Sequence, residues 1–175
     1  MLLEDECHLL WGDMLGHIWG RRNKPITVPI KNTKARQTYY GAINVMTHDF
    51  HLLPYDAGNS INTVAYVKEL QALYPEKKLL LLWDGASYHK YADMQAYLQD
   101  INMSLDSADW KVTCELFAPN APEQNPVEDM WLQGKKFIRK HFYKYTTFFQ
   151  VNTAFFEFFS QQTFAFSKLD MYIDF

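Results

Sequence analysis

The chain is predicted to be an α/β domain built on a mixed sheet, and three observations carry that prediction. Strand-like segments come first, a short apolar run sits mid-chain, and helical periodicities then alternate with strands. The early strand signals are Leu2 to Trp11, Thr38 to Val45 and Phe50 to Tyr55; the turn at Thr47-His48-Asp49 joins the last two, so an antiparallel meander is expected. Asn59-Ser60 can cap a helix whose apolar positions Val64, Val67, Leu70 and Leu73 recur at helical spacing before Pro75 stops it. The run Leu79 to Trp83 predicts a strand buried on both faces, as in a parallel pairing. A helix around Tyr91 to Ile101, a fifth strand at Val112 to Phe117 and a helix from Pro126 to about Tyr143 complete the pattern.

Of 175 residues, 48% are hydrophobic and 21% charged, enough apolar material for one domain with a substantial core and too much for a disordered chain. Without an internal repeat, a low-complexity linker or a composition break, residues 1–175 are expected to form one unit with a Phe-rich tail over about 146–175. Cys7 and Cys114 lie far apart without metal-ligand spacing and are expected to be reduced thiols of a cytoplasmic protein. The first six residues lack the basic start and long apolar stretch of a signal peptide. Leu79 to Trp83 is too short to span a bilayer and the stretch from Phe148 to Phe166 too broken by polar residues, so no membrane partner is expected.

Charge is unevenly placed. The formal net charge is -3, yet 11 of the 17 basic residues fall in two segments. Arg21, Arg22, Lys24, Lys31, Lys34 and Arg36 share a stretch with no acid between His17 and His48. Lys135, Lys136, Arg139, Lys140 and Lys144 are interleaved with Phe137, Ile138 and Phe142, which puts apolar groups on one helix face and cations on the other. Such a face is either simply solvated or a phosphate-binding surface, and the pattern alone leaves both open.

Three carboxylates stand at positions where chemistry is possible, each with a plainer explanation beside it. Asp84 follows the apolar run and precedes Gly85, where a buried parallel strand ends and ligands gather, although an Asp before Gly is by itself more often a turn residue. Asp5 interrupts the first strand between Glu4 and Glu6; alternation sets it on the opposite face from both, where it must be paired, protonated or bound to a cation if buried. Glu128 is third in a helix that Asn125 can cap and Pro126 can open, so a capping box could explain it fully. The buried stripe of that helix is expected at Val127, Met130, Trp131, Phe137 or Ile138, and His141, with Glu128 on its flank. Asp5-Glu6-Cys7-His8 spells a helicase-like acidic box, but no phosphate loop precedes it; the six histidines lack close pairing and no G-x-S-x-G elbow exists.

Taken together, Asp5-Glu6, the segment Trp83-Asp84-Gly85-Ala86-Ser87-Tyr88-His89 and the segment from Pro119 to Glu128 resemble the DDE transposases of the IS630 and Tc1/mariner group, the frame P-x-x-P-x-x-N-P-x-E being the specific part. The resemblance runs from Leu3 to at least His141. It implies an RNase H-like fold, a mixed five-stranded sheet with helices on both faces, in which Asp5, Asp84 and Glu128 are the catalytic residues and converge on two divalent cations. Oxygen-only ligands favour Mg²⁺ or Mn²⁺ over zinc, and such ions activate a water or a 3′-hydroxyl and stabilise the leaving oxygen at phosphorus. His89, Asn125 and Pro126 are the supporting residues of the matched motifs. The implied substrate is DNA, both transposon ends and target, with Arg21, Arg22, Lys135, Lys136 and Arg139 as backbone contacts.

Relatives carry helix-turn-helix modules ahead of the catalytic domain, and only four residues precede Asp5. The resemblance is therefore to a catalytic half, with the DNA-binding region absent and either encoded separately upstream or lost. Two other readings stay open: a decayed or recruited fragment that no longer cuts, and another RNase H-like nuclease, against which the N-P-x-E frame argues. The 43 residues between Asp84 and Glu128 exceed the usual interval, and the extra length is expected at Asn102 to Lys111. Aromatic residues make up 17% of the chain, and the tail's Phe148, Phe149, Phe155, Phe156, Phe158, Phe159, Phe164 and Phe166 cannot share one side of a helix. A homodimer through this tail is expected, with nucleoid association in a prokaryotic host.

Overall fold

The computed structural model describes residues 1–14, 20–24, 34–86, 92–118, 124–160, 163–164 and 167–172. Five strands, β1 (Leu2–Leu10), β2 (Arg36–Asn44), β3 (Phe50–Tyr55), β4 (Leu79–Trp83) and β5 (Val112–Leu116), hydrogen-bond in the order β3-β2-β1-β4-β5. β1 pairs antiparallel with β2 and parallel with β4, so the meander meets the parallel half of the sheet on that strand. β2 and β3 complete the meander, and β4 pairs parallel with β5.

Alternation along β1 divides the interior in two. Leu3, Cys7 and Leu9 face one core and Leu2 the other. The Leu2 side is covered by α1 (Ser60–Leu73) and α2 (Ala92–Ile101), whose Tyr66, Val67, Leu70 and Met94 meet Leu81 and Val112 of the parallel strands. The Leu3 side is covered by α3 (Pro126–His141), α4 (Phe148–Ser160) and the single turn α5 (Ser167–Asp170). The expected helices on both faces and the five strands are all present, with ends shifted by a residue or two.

The buried stripe of α1 differs from the expected one. Its inward residues are Ser60, Thr63, Tyr66, Val67 and Leu70, whereas Leu73 is 55% exposed and Val64 only half-buried. Hydrogen bonds explain the rotation: the Tyr66 hydroxyl donates to the His51 carbonyl at 2.7 Å, and Thr63 Oγ1 donates to the Asn59 carbonyl at 2.9 Å, so polar atoms that apolar periodicity ignores are satisfied inside. The Asn59 side chain caps the helix by accepting from the Asn62 amide at 2.9 Å, as the sequence predicts. The long link from α2 to β5 is pinned by Asn102, whose side chain donates to the Val112 carbonyl and accepts from the Lys111 amide.

The Phe-rich tail largely turns inward. Val151, Phe155 and Phe159 of α4, together with Phe164 and Leu169, are buried against α3 and β2. Gly134 makes the approach possible, because a Cβ there would stand 2.7 Å from the Phe159 ring. Lys168 adds an ion pair to Asp129 at 2.7 Å. Of the tail's described phenylalanines, Phe149 is 78% exposed and Phe156 39% exposed, while the others pack wholly or partly in the domain's own core; Phe166 lies outside the described residues. Both cysteines are free thiols, and no helix among the described residues is long and apolar enough to cross a membrane.

Removing a buried aromatic ring leaves a cavity as well as losing transfer energy, so Phe155→Ala should destabilise the fold by about 3–5 kcal/mol. Phe149→Ala should stay within about 0.5 kcal/mol of the parent. Denaturant unfolding of the two variants checks this; equal losses would show that α4 does not pack as described.

Candidate active site

Three elements meet where β1 is flanked by β4 and overlaid by the start of α3. On β1, Glu4 faces the α1 and α2 side and is 1% exposed, while Asp5 faces α3 and is 8% exposed. The parallel register pairs Leu2 with Leu81 and Leu3 with Leu82; continued by two residues, it brings the chain at Asp84 level with Asp5. Neighbouring strands lie roughly 4.8 Å apart, so these two acids come from adjacent positions although 78 residues separate them in sequence.

The third acid arrives with α3. The Asn125 side chain accepts from the Val127 amide at 3.1 Å, capping the helix, and its Nδ2 donates to the Glu4 carbonyl at 2.9 Å, which ties the helix start to β1. Pro126 is buried at the first helical position. One turn later the Trp131 indole N–H donates to Asp5 Oδ2 at 2.9 Å. Glu128 lies between these two anchors and is exposed. Among the described residues its carboxylate makes no hydrogen bond back to Asn125, so the cap is complete without it. The capping-box explanation therefore accounts for Asn125 and leaves Glu128 over.

Asp84 is exposed just beyond β4, and its Oδ1 accepts from the Ala86 amide at 2.8 Å. The plainer turn role is thus present, and it does not exclude another, since a carboxylate has further lone pairs to offer. Burial pushes the Asp5 carboxyl well above the ordinary carboxylate range, and the neighbouring charges of Glu128, Glu6 and Asp84 push it the same way against the opposing pull of the Trp131 N–H. Glu4 is likewise held well above its ordinary range, first by burial and then by Glu6, Asp5 and Asp84. Asp5 is therefore the acid that feels both of the others.

As they stand, no three or more His, Cys, Asp or Glu side chains among the described residues are gathered tightly enough to hold a metal ion. The donor set nonetheless fits a hard divalent cation: it is all oxygen, it is crowded enough for its charges to oppose ionisation of Asp5, and a bound cation is what relieves such crowding. Two clefts run along α2 instead, one of about 440 Å³ lined by Leu98, Trp110 and Cys114.

The other expected residues divide. His89 lies outside the described residues. Arg21 and Arg22 are exposed in a short segment after β1, and Lys135, Lys136 and Arg139 line the outer side of α3, with Lys136 exposed and the other two half-buried. Two residues important to the site were missed in that role: Trp131, read only as core, and Gly41, the cross-strand partner of Asp5. A glycine in the middle of a strand is the signal that could have found them, because it marks close approach by another group.

A mixed sheet in this order, with acids contributed by β1, the end of β4 and the start of α3, has the layout of the RNase H-like fold. The chain belongs to the DDE superfamily endonucleases, whose pattern matches residues 1–148. Among solved structures it is similar to a pre-cleavage Mos1 transpososome, with a TM-score of 0.64 at 11% identity over 92% of this chain and 48% of that one. It is also similar to the Mos1 mariner paired-end complex with Mn, with a TM-score of 0.57 at 15% identity over 93% and 48%. A chain of the simian T-cell lymphotropic virus intasome in complex with PP2A regulatory subunit B56 gamma gives 0.58 at 11% identity over 88% and 46%. The chain thus spans about half the length of the structures it matches. No curated protein matches it in sequence.

A carboxyl whose pKa is raised by folding keeps its proton in the folded state after the unfolded chain has released it. Stability then falls as pH rises from the ordinary carboxylate range, about 4, until the folded groups ionise. Without divalent cations, Asp5→Asn and Glu4→Gln should each flatten this decline and raise stability at neutral pH. Denaturant midpoints from about pH 4 to about pH 8 measure it; parent-like slopes in both variants would show that neither acid ionises at a cost.

Proposed function

We propose that the chain is the catalytic domain of a DNA transposase of the IS630 and Tc1/mariner kind, cutting DNA strands at element ends and joining freed 3′ ends to target DNA. The observation that carries this reading is Asp5, buried on the central strand and set in the fields of Glu128 and Asp84, within a chain of the DDE family. Asp5, Asp84 and Glu128 would hold Mg²⁺ or Mn²⁺, two ions in the full site. When bound, the cations supply an activated oxygen nucleophile and neutralise charge on the leaving oxygen.

The chain's own residues account for the rest. β1 and α3 are joined at the site by the Asn125 and Trp131 hydrogen bonds, so Asp5 and Glu128 are held by the two most rigid kinds of element. Lys135 and Arg139 follow Glu128 at seven and eleven positions along the same side of α3, which sets them about 10 and 16 Å from it along the helix axis. A phosphate backbone engaged at the acids would continue along this basic stripe, with Lys136 beside it and Arg21 and Arg22 as a second contact. Holding two DNA ends together calls for two copies, and the exposed Phe149 and Phe156 are the part of the tail that could meet a second chain.

Purified protein should nick DNA only with Mg²⁺ or Mn²⁺, and Asp84→Asn should abolish nicking while the fold persists. A folded parent with no metal-dependent cleavage would instead identify a non-catalytic relative of the transposases. Replacing Lys135, Lys136 and Arg139 together by Ala should weaken binding to all DNA sequences alike and reduce the log–log salt slope by about 2 to 3. An unchanged slope would show that this helix face is only solvated.

A further inference from the structure

Trp131 donates a hydrogen bond to Asp5 and lies outside the family frame quoted above. Its ring is 3% exposed and fixed on several sides. Phe155 stacks on it at 6.3 Å and 17°, while Phe50 and Phe159 meet it edge-on at 5.5 Å each. Gly41, opposite Asp5 in the β1–β2 register, provides the remaining room: a Cβ there would stand 2.5 Å from Trp131 Cη2 and 2.5 Å from Phe50 Cζ. An indole has a single donor and no acceptor, and a buried one needs a partner. Here the partner is one oxygen of the carboxylate, at 2.9 Å.

We propose that Trp131 is a positioning residue: its N–H holds Asp5 Oδ2, fixing the plane of the carboxylate so that Oδ1 is the oxygen left to take a divalent cation. The inference rests on the reading of Asp5, Asp84 and Glu128 as cation ligands and adds a residue from outside that set. A carboxylate on a short side chain can rotate about its terminal torsion, which is broad and weakly restrained. A donor anchored in a packed aromatic box removes that freedom before the cation arrives. Partners of this kind, which orient a ligand without touching the metal, typically change metal affinity 10- to 100-fold when lost. The same ring sits three positions after Glu128 on α3, so it also fixes the distance between that helix and the strand bearing Asp5.

The test reads cation binding, not turnover. Titration calorimetry with Mn²⁺ on the parent, Trp131→Phe and Asp84→Asn, with circular dichroism melts to verify folding, should show affinity lowered about 10- to 100-fold in Trp131→Phe and lost in Asp84→Asn. Because Trp131→Phe also empties part of the aromatic box, a second measurement uses the parent alone. Of its five tryptophan side chains, the one whose indole N–H resonance moves in Asp5→Asn should also shift with Mg²⁺ and broaden with Mn²⁺. Binding lost in Asp84→Asn, with parent affinity in Trp131→Phe and no indole response, overturns the role of Trp131 alone. Binding equal in all three proteins overturns the three-acid reading and this inference with it.

Discussion

A carboxylate buried at the centre of a sheet is the constraint around which the rest of this molecule is arranged. Asp5 sits on β1, the strand where antiparallel and parallel halves meet, and is only 8% exposed. Burial of a charge is costly unless it is neutralised or given donors. The chain supplies one donor, from Trp131, and surrounds it with Glu128, Glu6 and Asp84, which raise the cost further. That is a poor solution for stability, and strain of this kind concentrates where proteins act.

The architecture that sustains it is economical. Gly41 gives up a side chain opposite Asp5 so that a tryptophan can fill the space, and Gly134 gives one up on α3 so that α4 can press Phe155 and Phe159 against that tryptophan. The two glycines thus stand in series: one admits the ring that reaches the acid, the other admits the helix that clamps the ring. Glu4, on the reverse side of the same strand, shows the cost of alternation, since the acid next to Asp5 is forced into the opposite core. Its raised pKa leaves it able to enter that core as a neutral group.

Much of the fold was legible because its signals were of the strongest kinds. Leu79 to Trp83 could be little other than a buried strand, and Asn59 and Asn125 marked helix starts through chemistry that acts within three residues. The α1 stripe was misjudged because Thr63 and Tyr66 are buried through hydrogen bonds, which hydrophobic periodicity does not count. How much of the tail packs on the domain's own core was not legible, because its fit depends on Gly134 of another helix, a long-range match that no local window contains. At the candidate site, the sequence offers Asp5, Asp84 and Glu128 through motif alone, whereas the Trp131 bond to Asp5 bridges 126 positions and has no local signature beyond a glycine in mid-strand.

That separation has a consequence for synthesis on the ribosome. Asp5 emerges long before its donor, residue 131, and before the rings that immobilise that donor, residues 155 and 159. Contacts so distant along the chain close late, after the loop entropy between them has been overcome. A nascent chain can pair β1 with β2 early, but it cannot complete the acid site until nearly the whole domain has been made. The arrangement around Asp5 is therefore missing from a half-made chain and arrives only with the finished fold.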